Sequence, residues 1–127
     1  VLFRSTGAAK AADYAADIKA AYVKEIGLLA KEGAAWVTIA EPALVFDVGK
    51  DDVAFFTSLY KDILAEVKKA SAVRVSLLTY FGDIRDSYDA VSSLPFDGIG
   101  LDFVEGKESM NLVRKGFPKD KERPSCS

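Results

Sequence analysis

The chain has 127 residues and a mass of 13.7 kDa; half of its residues are hydrophobic and 28% are charged. That length suits one domain, and the composition excludes a wholly disordered, collagen-like or disulfide-built chain. Seventeen basic against nineteen acidic residues leave a net charge of −2, with no general attraction to nucleic acid or an anionic membrane. There is no histidine, and the single cysteine is Cys126. These residues therefore supply no Cys/His zinc site, no internal disulfide and no His-dependent nucleophile.

No run approaches the ~20 apolar residues of a membrane helix. Residues 1–10 lack the apolar core of a secretory leader. With no cysteine pair to oxidise, a reducing cytoplasm is the expected compartment. Val1-Leu2-Phe3-Arg4-Ser5 reads like translated adapter DNA, so residues 1–9 are expected to be a foreign or disordered leader. Residues 10–117 are expected to form the folded part. Residues 118–127, charged and containing Pro and Ser, are expected to be a disordered or unrelated tail.

From Lys10 to Glu32 the pattern is helical: Tyr14, Ile18, Tyr22, Ile26 and Leu29 recur at spacings of four and three. Gly33 supplies a stop. Trp36-Val37-Thr38-Ile39 reads as a short buried strand closed by Glu41-Pro42. A second helix is predicted from Asp51 to Ala70, with Asp51 and Asp52 at its positive end and Lys68 and Lys69 at its negative end. Val53, Phe56, Leu59, Tyr60, Ile63, Leu64 and Val67 make its buried face.

Val73–Tyr80 is the second strand. A short helix follows over Arg85–Leu94, with Tyr88 and Val91 inward. Phe96–Val104 is the third strand, and Lys107–Arg114 a last short helix with Met110 and Val113 on its apolar side. Strands alternating with helices predict βαβ units and a parallel sheet. The strands are almost wholly apolar, as expected when both faces are covered. Their centres, near Val37, Val75 and Ile99, lie about 38 and 24 residues apart. That spacing suits a (β/α)8 barrel and equally an open doubly wound sheet.

Either architecture binds ligands at the carboxyl ends of its strands. Those ends carry Glu41, Thr79 with Tyr80, and Asp102 with Glu105. Carboxylates beside a Tyr hydroxyl can bind a cation or an amino group, or act as acid and base. In the other reading, Glu41 and Asp102 satisfy backbone N–H groups or a neighbouring Arg. Gly98-Ile99-Gly100 lacks the third glycine of a nucleotide fingerprint and falls inside a strand, so it reads as close packing. Trp36, Phe81 and Phe96 have no interleaved basic patch and read as core residues.

Three segments resemble one family. Ala35-Trp36-Val37-Thr38-Ile39-Ala40-Glu41-Pro42-Ala43-Leu44-Val45 resembles the W-V-Q-I-D-E-P-A-L-V segment of the cobalamin-independent methionine synthases. Leu77-Leu78-Thr79-Tyr80-Phe81-Gly82-Asp83 is similar to their L-T-T-Y-F-G, and Leu94-Pro95-Phe96-Asp97-Gly98-Ile99-Gly100-Leu101-Asp102-Phe103 to their L-P-V-D-G-L-G-L-D-L. The blocks keep the family's order, and the resemblance runs from about Tyr14 to Lys121. Ala40 stands where the family usually has Asp.

The resemblance implies an α/β fold: three consecutive βα units of an incomplete (β/α)8 TIM-type barrel. The family has two such barrels. Its C-terminal barrel holds zinc and homocysteine and hosts methyl transfer from a methyltetrahydrofolate polyglutamate. The strand after this chain's Glu-Pro-Ala-Leu segment has neither His nor Cys, so the chain resembles the N-terminal, metal-free barrel. No cofactor is implied within it; zinc belongs to the C-terminal barrel of the parent, which is also its implied partner. No catalytic residue is implied, and Glu41, Tyr80 and Asp102 are the candidate substrate-binding residues. The alternatives are a stand-alone βα binding module from the same barrel, or another methyltransferase of the superfamily. Flanking DNA separates them, because a synthase continues into a second Glu-Pro-Ala-Leu segment and a His/Cys strand.

Overall fold

The computed structural model describes residues 11–122; the expected leader and Cys126 lie outside the described residues. A 3₁₀ turn, Ala11–Tyr14, leads into helix α1, Ala15–Lys31. Then come β1 (Trp36–Ala40), a 3₁₀ turn (Pro42–Val45), α2 (Lys50–Ala70), β2 (Arg74–Leu78), α3 (Tyr88–Ser93), β3 (Gly98–Gly100) and α4 (Ser109–Lys115). The strands form one open parallel sheet in the order β1-β2-β3. This is an α/β fold in which every strand is followed by a helix.

Helix α2 carries the core. Phe56, Leu59, Tyr60, Ile63, Leu64 and Val67 are all buried, at the i, i+3, i+4, i+7 spacing of one helical stripe. They meet Val37, Ile39, Val75, Leu77 and Ile99, which share one face of the sheet by register. Each such side chain contributes about 1.5–3 kcal/mol by leaving water. Helix α1 adds Ile18, Tyr22, Val23 and Ile26 to the same core. The stripe read from its sequence is covered only in the middle, because Tyr14 and Leu29 at its ends are exposed. The helix ends as expected, with Gly33 at φ 94° in the left-handed region.

The sheet is covered on one face, not on both. Trp36, Thr38, Ala40, Arg74, Ser76, Leu78, Gly98 and Gly100 share the other face by register, and Thr38, Ala40, Arg74 and Leu78 there are exposed. This face has its own polar lattice. The Trp36 Nε1–H donates to Ser76 Oγ at 2.8 Å, and the Thr38 and Ser76 hydroxyls are 3.0 Å apart. The Arg74 guanidinium stacks 4.3 Å from the Trp36 ring centre. The expected close packing of Gly98 and Gly100 is observed. A Cβ on Gly98 would sit 3.3 Å from Trp36 and 3.4 Å from Ser76, and one on Gly100 would strike Leu78.

Two strands are shorter than their sequence suggests, for identifiable reasons. The strand predicted over Phe96–Val104 is confined to three residues. On its approach the Asp97 carboxylate takes the Val75 N–H at 2.8 Å in place of a backbone carbonyl. On its exit Asp102 Oδ1 takes the N–H groups of Val104 and Glu105 and turns the chain. The strand predicted over Val73–Tyr80 stops at Leu78, because Phe81 turns into positive φ two residues after Thr79.

Helix α3 begins at Tyr88, later than expected, since Asp83 folds residues 83–85 into a turn by accepting the Arg85 N–H. In α4 Ser109 and Leu112 are buried and Val113 packs against the core as expected, while Met110 is 48% exposed; the buried face runs through Leu112 rather than Met110. Residues 118–122 lie against the domain. Lys121 is buried and donates to Leu94 O at 2.6 Å and Phe96 O at 3.0 Å. Glu122 bridges to Gly98 and pairs with Arg74.

Candidate functional site at the strand ends

The loops after the three strands meet at Gly82 and Gly106. A Cβ on Gly82 would lie 3.2 Å from Val45, in the loop after β1. The Gly106 α-carbon is enclosed by Asp102 O, Ser109 Oγ and Gly82 O, leaving no volume for a side chain. This is the rim to which ligands come in parallel α/β sheets.

Glu41 follows β1, and its N–H bonds Leu78 O at 2.9 Å, tying the end of β1 to β2. Its carboxylate is buried and turns into the helix layer, where the Tyr60 hydroxyl donates to Oε2 at 3.2 Å. Tyr60 stacks at an angle on Phe56 and Phe96 and meets the edge of Tyr22. Burial, with Tyr22 adding to it, pushes the Tyr60 phenol far above its ordinary range. It remains a neutral donor to Glu41 at any physiological pH.

Asp102 follows β3 and works on two loops at once. Oδ2 accepts the Phe81 N–H at 2.9 Å, and Oδ1 accepts those of Val104 and Glu105 at 2.8 and 3.0 Å. The Glu105 and Val104 N–H groups hold its carboxyl below the usual carboxylate range. Tyr80 is half-buried, with its ring edge-on to Phe81 at 4.7 Å. Thr79 is buried and gives both its N–H and its hydroxyl to Gly100 O. Asp102 and Tyr80 thus meet at the Phe81 loop, whereas the Glu41 carboxylate engages Tyr60 on the helix side.

Two features of the rim escape the sequence reading. Phe81, read there as core, is 75% exposed and has φ 69°. It sits in the left-handed region that non-glycine residues seldom occupy; the Gly82-Asp83 turn signal beside it was the available hint. Asp83 is buried and grips Arg85 through two 2.7 Å bonds. It also accepts the Glu108 N–H at 3.3 Å, fastening the loop after β2 to the start of α4. The Arg85 bond lowers the Asp83 carboxyl from its ordinary range and raises the Arg85 guanidinium.

The described residues contain no group of three or more His, Cys, Asp or Glu side chains placed to hold a metal. With no His in the chain, the donor set among the described residues does not fit a zinc site. No described helix is long and apolar enough to cross a membrane.

An open parallel sheet whose strands alternate with helices defines the class: an α/β protein built of βα units. The family model for the N-terminal domain of the cobalamin-independent synthases matches residues 2–123. A 5-methyltetrahydropteroyltriglutamate–homocysteine methyltransferase of Streptococcus thermophilus is 47% identical over 112 residues, covering 88% of this chain and 15% of its own length. Proteins of the same description from Lactococcus lactis subsp. cremoris and Streptococcus gordonii are 47% and 44% identical over 106 and 110 residues, 83% and 87% of this chain. The chain belongs to the cobalamin-independent methionine synthase family, in its N-terminal domain. It spans about one seventh of the length of these relatives.

Proposed function

We propose that these residues are three βα units of the N-terminal (β/α)8 barrel of a cobalamin-independent methionine synthase. The observation that carries this reading is 47% identity across 88% of the chain. The sequential strand order supports a barrel over a doubly wound sheet, which places helices on both faces. In a barrel the open face, with Trp36, Thr38, Ser76 and Gly98, is the inward one. We extend the domain from residue 117 to Glu122, because Lys121 and Glu122 still bond to it.

The parent transfers a methyl group from a methyltetrahydrofolate polyglutamate to homocysteine in the cytoplasm. Zinc, for which these residues supply no donor set, would belong to the parent's C-terminal barrel, where it would supply activation of the thiol, since coordinated thiols are deprotonated. The 127-residue chain supports that reaction and does not perform it. Among the rim residues we assign the substrate-facing part to Tyr80, and give Glu41 and Asp102 supporting parts. Their carboxylates bond a buried phenol and three backbone N–H groups.

Two experiments test the reading. The Streptococcus thermophilus enzyme, with residues 11–122 of this chain in place of its matching segment, is expected to restore growth without methionine to a synthase-deficient bacterium. A folded chimera that leaves the auxotrophy in place overturns the assignment. The purified 127-residue chain is expected to form no methionine from both substrates with zinc present; turnover there overturns the division of labour between barrels.

A further inference from the structure

The turn between α3 and β3, residues 94–97, is tied to three other parts of the chain. Each of its backbone carbonyls accepts a bond from outside the turn. The Lys121 ammonium donates to Leu94 O at 2.6 Å and to Phe96 O at 3.0 Å. The Lys68 ammonium, from the last turn of α2, donates to Pro95 O at 2.7 Å, and the Glu122 N–H to Asp97 O at 2.9 Å. The Asp97 carboxylate accepts the Val75 N–H of β2, and the Asp97 N–H donates to Val75 O, each at 2.8 Å.

The two lysines are not equivalent. The Lys68 side chain is partly exposed, so water can take its place. Lys121 is only 7% exposed, and a buried ammonium is costly unless its N–H groups find acceptors. Here two carbonyls lie within hydrogen-bond reach, and the exposed Asp120 carboxylate stands 3.7 Å away. The carbonyls in turn need a donor. Leu94 closes α3, where a helix leaves its last carbonyls without partners, and Leu94 and Phe96 are both buried.

We propose that residues 94–97 form a binding site for a primary ammonium group, that Lys121 is its resident occupant, and that this occupancy latches residues 118–122 onto the amino-terminal end of the sheet. Lys121 fixes the position from which Glu122 pairs in parallel with Gly98 and its carboxylate meets Arg74. A primary ammonium offers separate N–H groups to the two carbonyls, whereas a quaternary one has none to offer. The site lies at the opposite end of the strands from the rim, so its test does not depend on the proposed function.

Two variants of the 127-residue chain test this. Lys121→Met keeps most of the apolar stem and loses the donors; Lys121→Ala loses both. Lys121→Met is expected to lower the thermal midpoint by about 5–10 °C; an unchanged midpoint overturns the latch, because burial of the stem then suffices. Lys121→Ala is expected to fall at least as far. It should regain roughly half of the loss, or refold if it is unfolded, in about 0.1 M propylammonium chloride, which restores the missing methylenes and the ammonium. Propan-1-ol and tetramethylammonium chloride at the same concentration are expected to do neither. Equal recovery in either of them, or none in propylammonium, overturns the ammonium site. Amide exchange reads the turn itself: Val75, bonded to Asp97, is expected to exchange roughly tenfold faster in Lys121→Met, and unchanged exchange overturns the hold of Lys121 on the turn.

Discussion

The two faces of the sheet are built on different principles. On the helix side, Ile39, Val75, Leu77 and Ile99 meet the α2 stripe and are buried with no polar atom among their side chains. On the opposite side, Trp36, Thr38 and Ser76 hydrogen-bond across strands beneath an exposed Arg74. The first face is held by apolar area removed from water, a stabilisation that scales with that area and is reduced by any cavity. The second is held by directional bonds between groups that water also satisfies, and each is worth far less net. Stability therefore concentrates under α2, while the open face and the strand-end rim are free to be shaped by what they contact.

Leu77→Ala, on the buried face, should separate the two most strongly. It is expected to lose about 3 kcal/mol in a denaturant titration, where Thr38→Val on the open face changes stability by less than about 0.5 kcal/mol; equal effects would erase the contrast. Gly106→Ala comes next, at about 2 kcal/mol, because Asp102 O and Gly82 O are backbone atoms that cannot swing aside. Thermal denaturation reads this directly.

Tyr60→Phe removes the donor to Glu41 Oε2 and leaves the packing intact, for an expected loss of about 1 kcal/mol. No loss would mean that Glu41 is fully satisfied without it. Acid sensitivity belongs to the rim. Asp83 and Asp102 both have lowered pKa values, so their contribution is present above the unfolded value of about 3.9 and is lost as pH falls through the folded one. Asp83→Asn should flatten the stability profile below about pH 4 and leave its shape unchanged from pH 5 to 8.

The smallest expected effect has the opposite sign. Phe81→Gly relieves the left-handed backbone and should raise the midpoint by up to about 1 kcal/mol equivalent. A drop would show that the exposed ring contributes to folding within the chain itself.

Much of this was legible before any coordinates. The 56, 59/60, 63/64, 67 spacing marked the buried stripe of α2, and Gly33 marked the end of α1, since both depend on local geometry. The order of strands and helices predicted a parallel sheet, and the Trp-Val-Thr-Ile-Ala-Glu-Pro segment with its two companions pointed to the family. Pro42, favoured in the first turn of a helix, could have disclosed the 3₁₀ turn Pro42–Val45. The partners of Glu41 and Asp102 were not legible, because Tyr60 lies 19 residues from Glu41 and Phe81 lies 21 residues from Asp102.

Half-apolar composition, a net charge of −2 and the lack of histidine were fixed by the sequence itself, and with them the kind of core available and the absence of a His-based donor set. Tertiary structure decided which way each polar group turns. It buried Glu41 against a phenol, spent Asp102 on three backbone N–H groups, and drove Phe81 out into solvent. The physical reason is that helical and strand periodicity are properties of neighbouring residues. A loop's conformation instead follows from whichever distant carbonyl, carboxylate or N–H the folded sheet brings within about 3 Å.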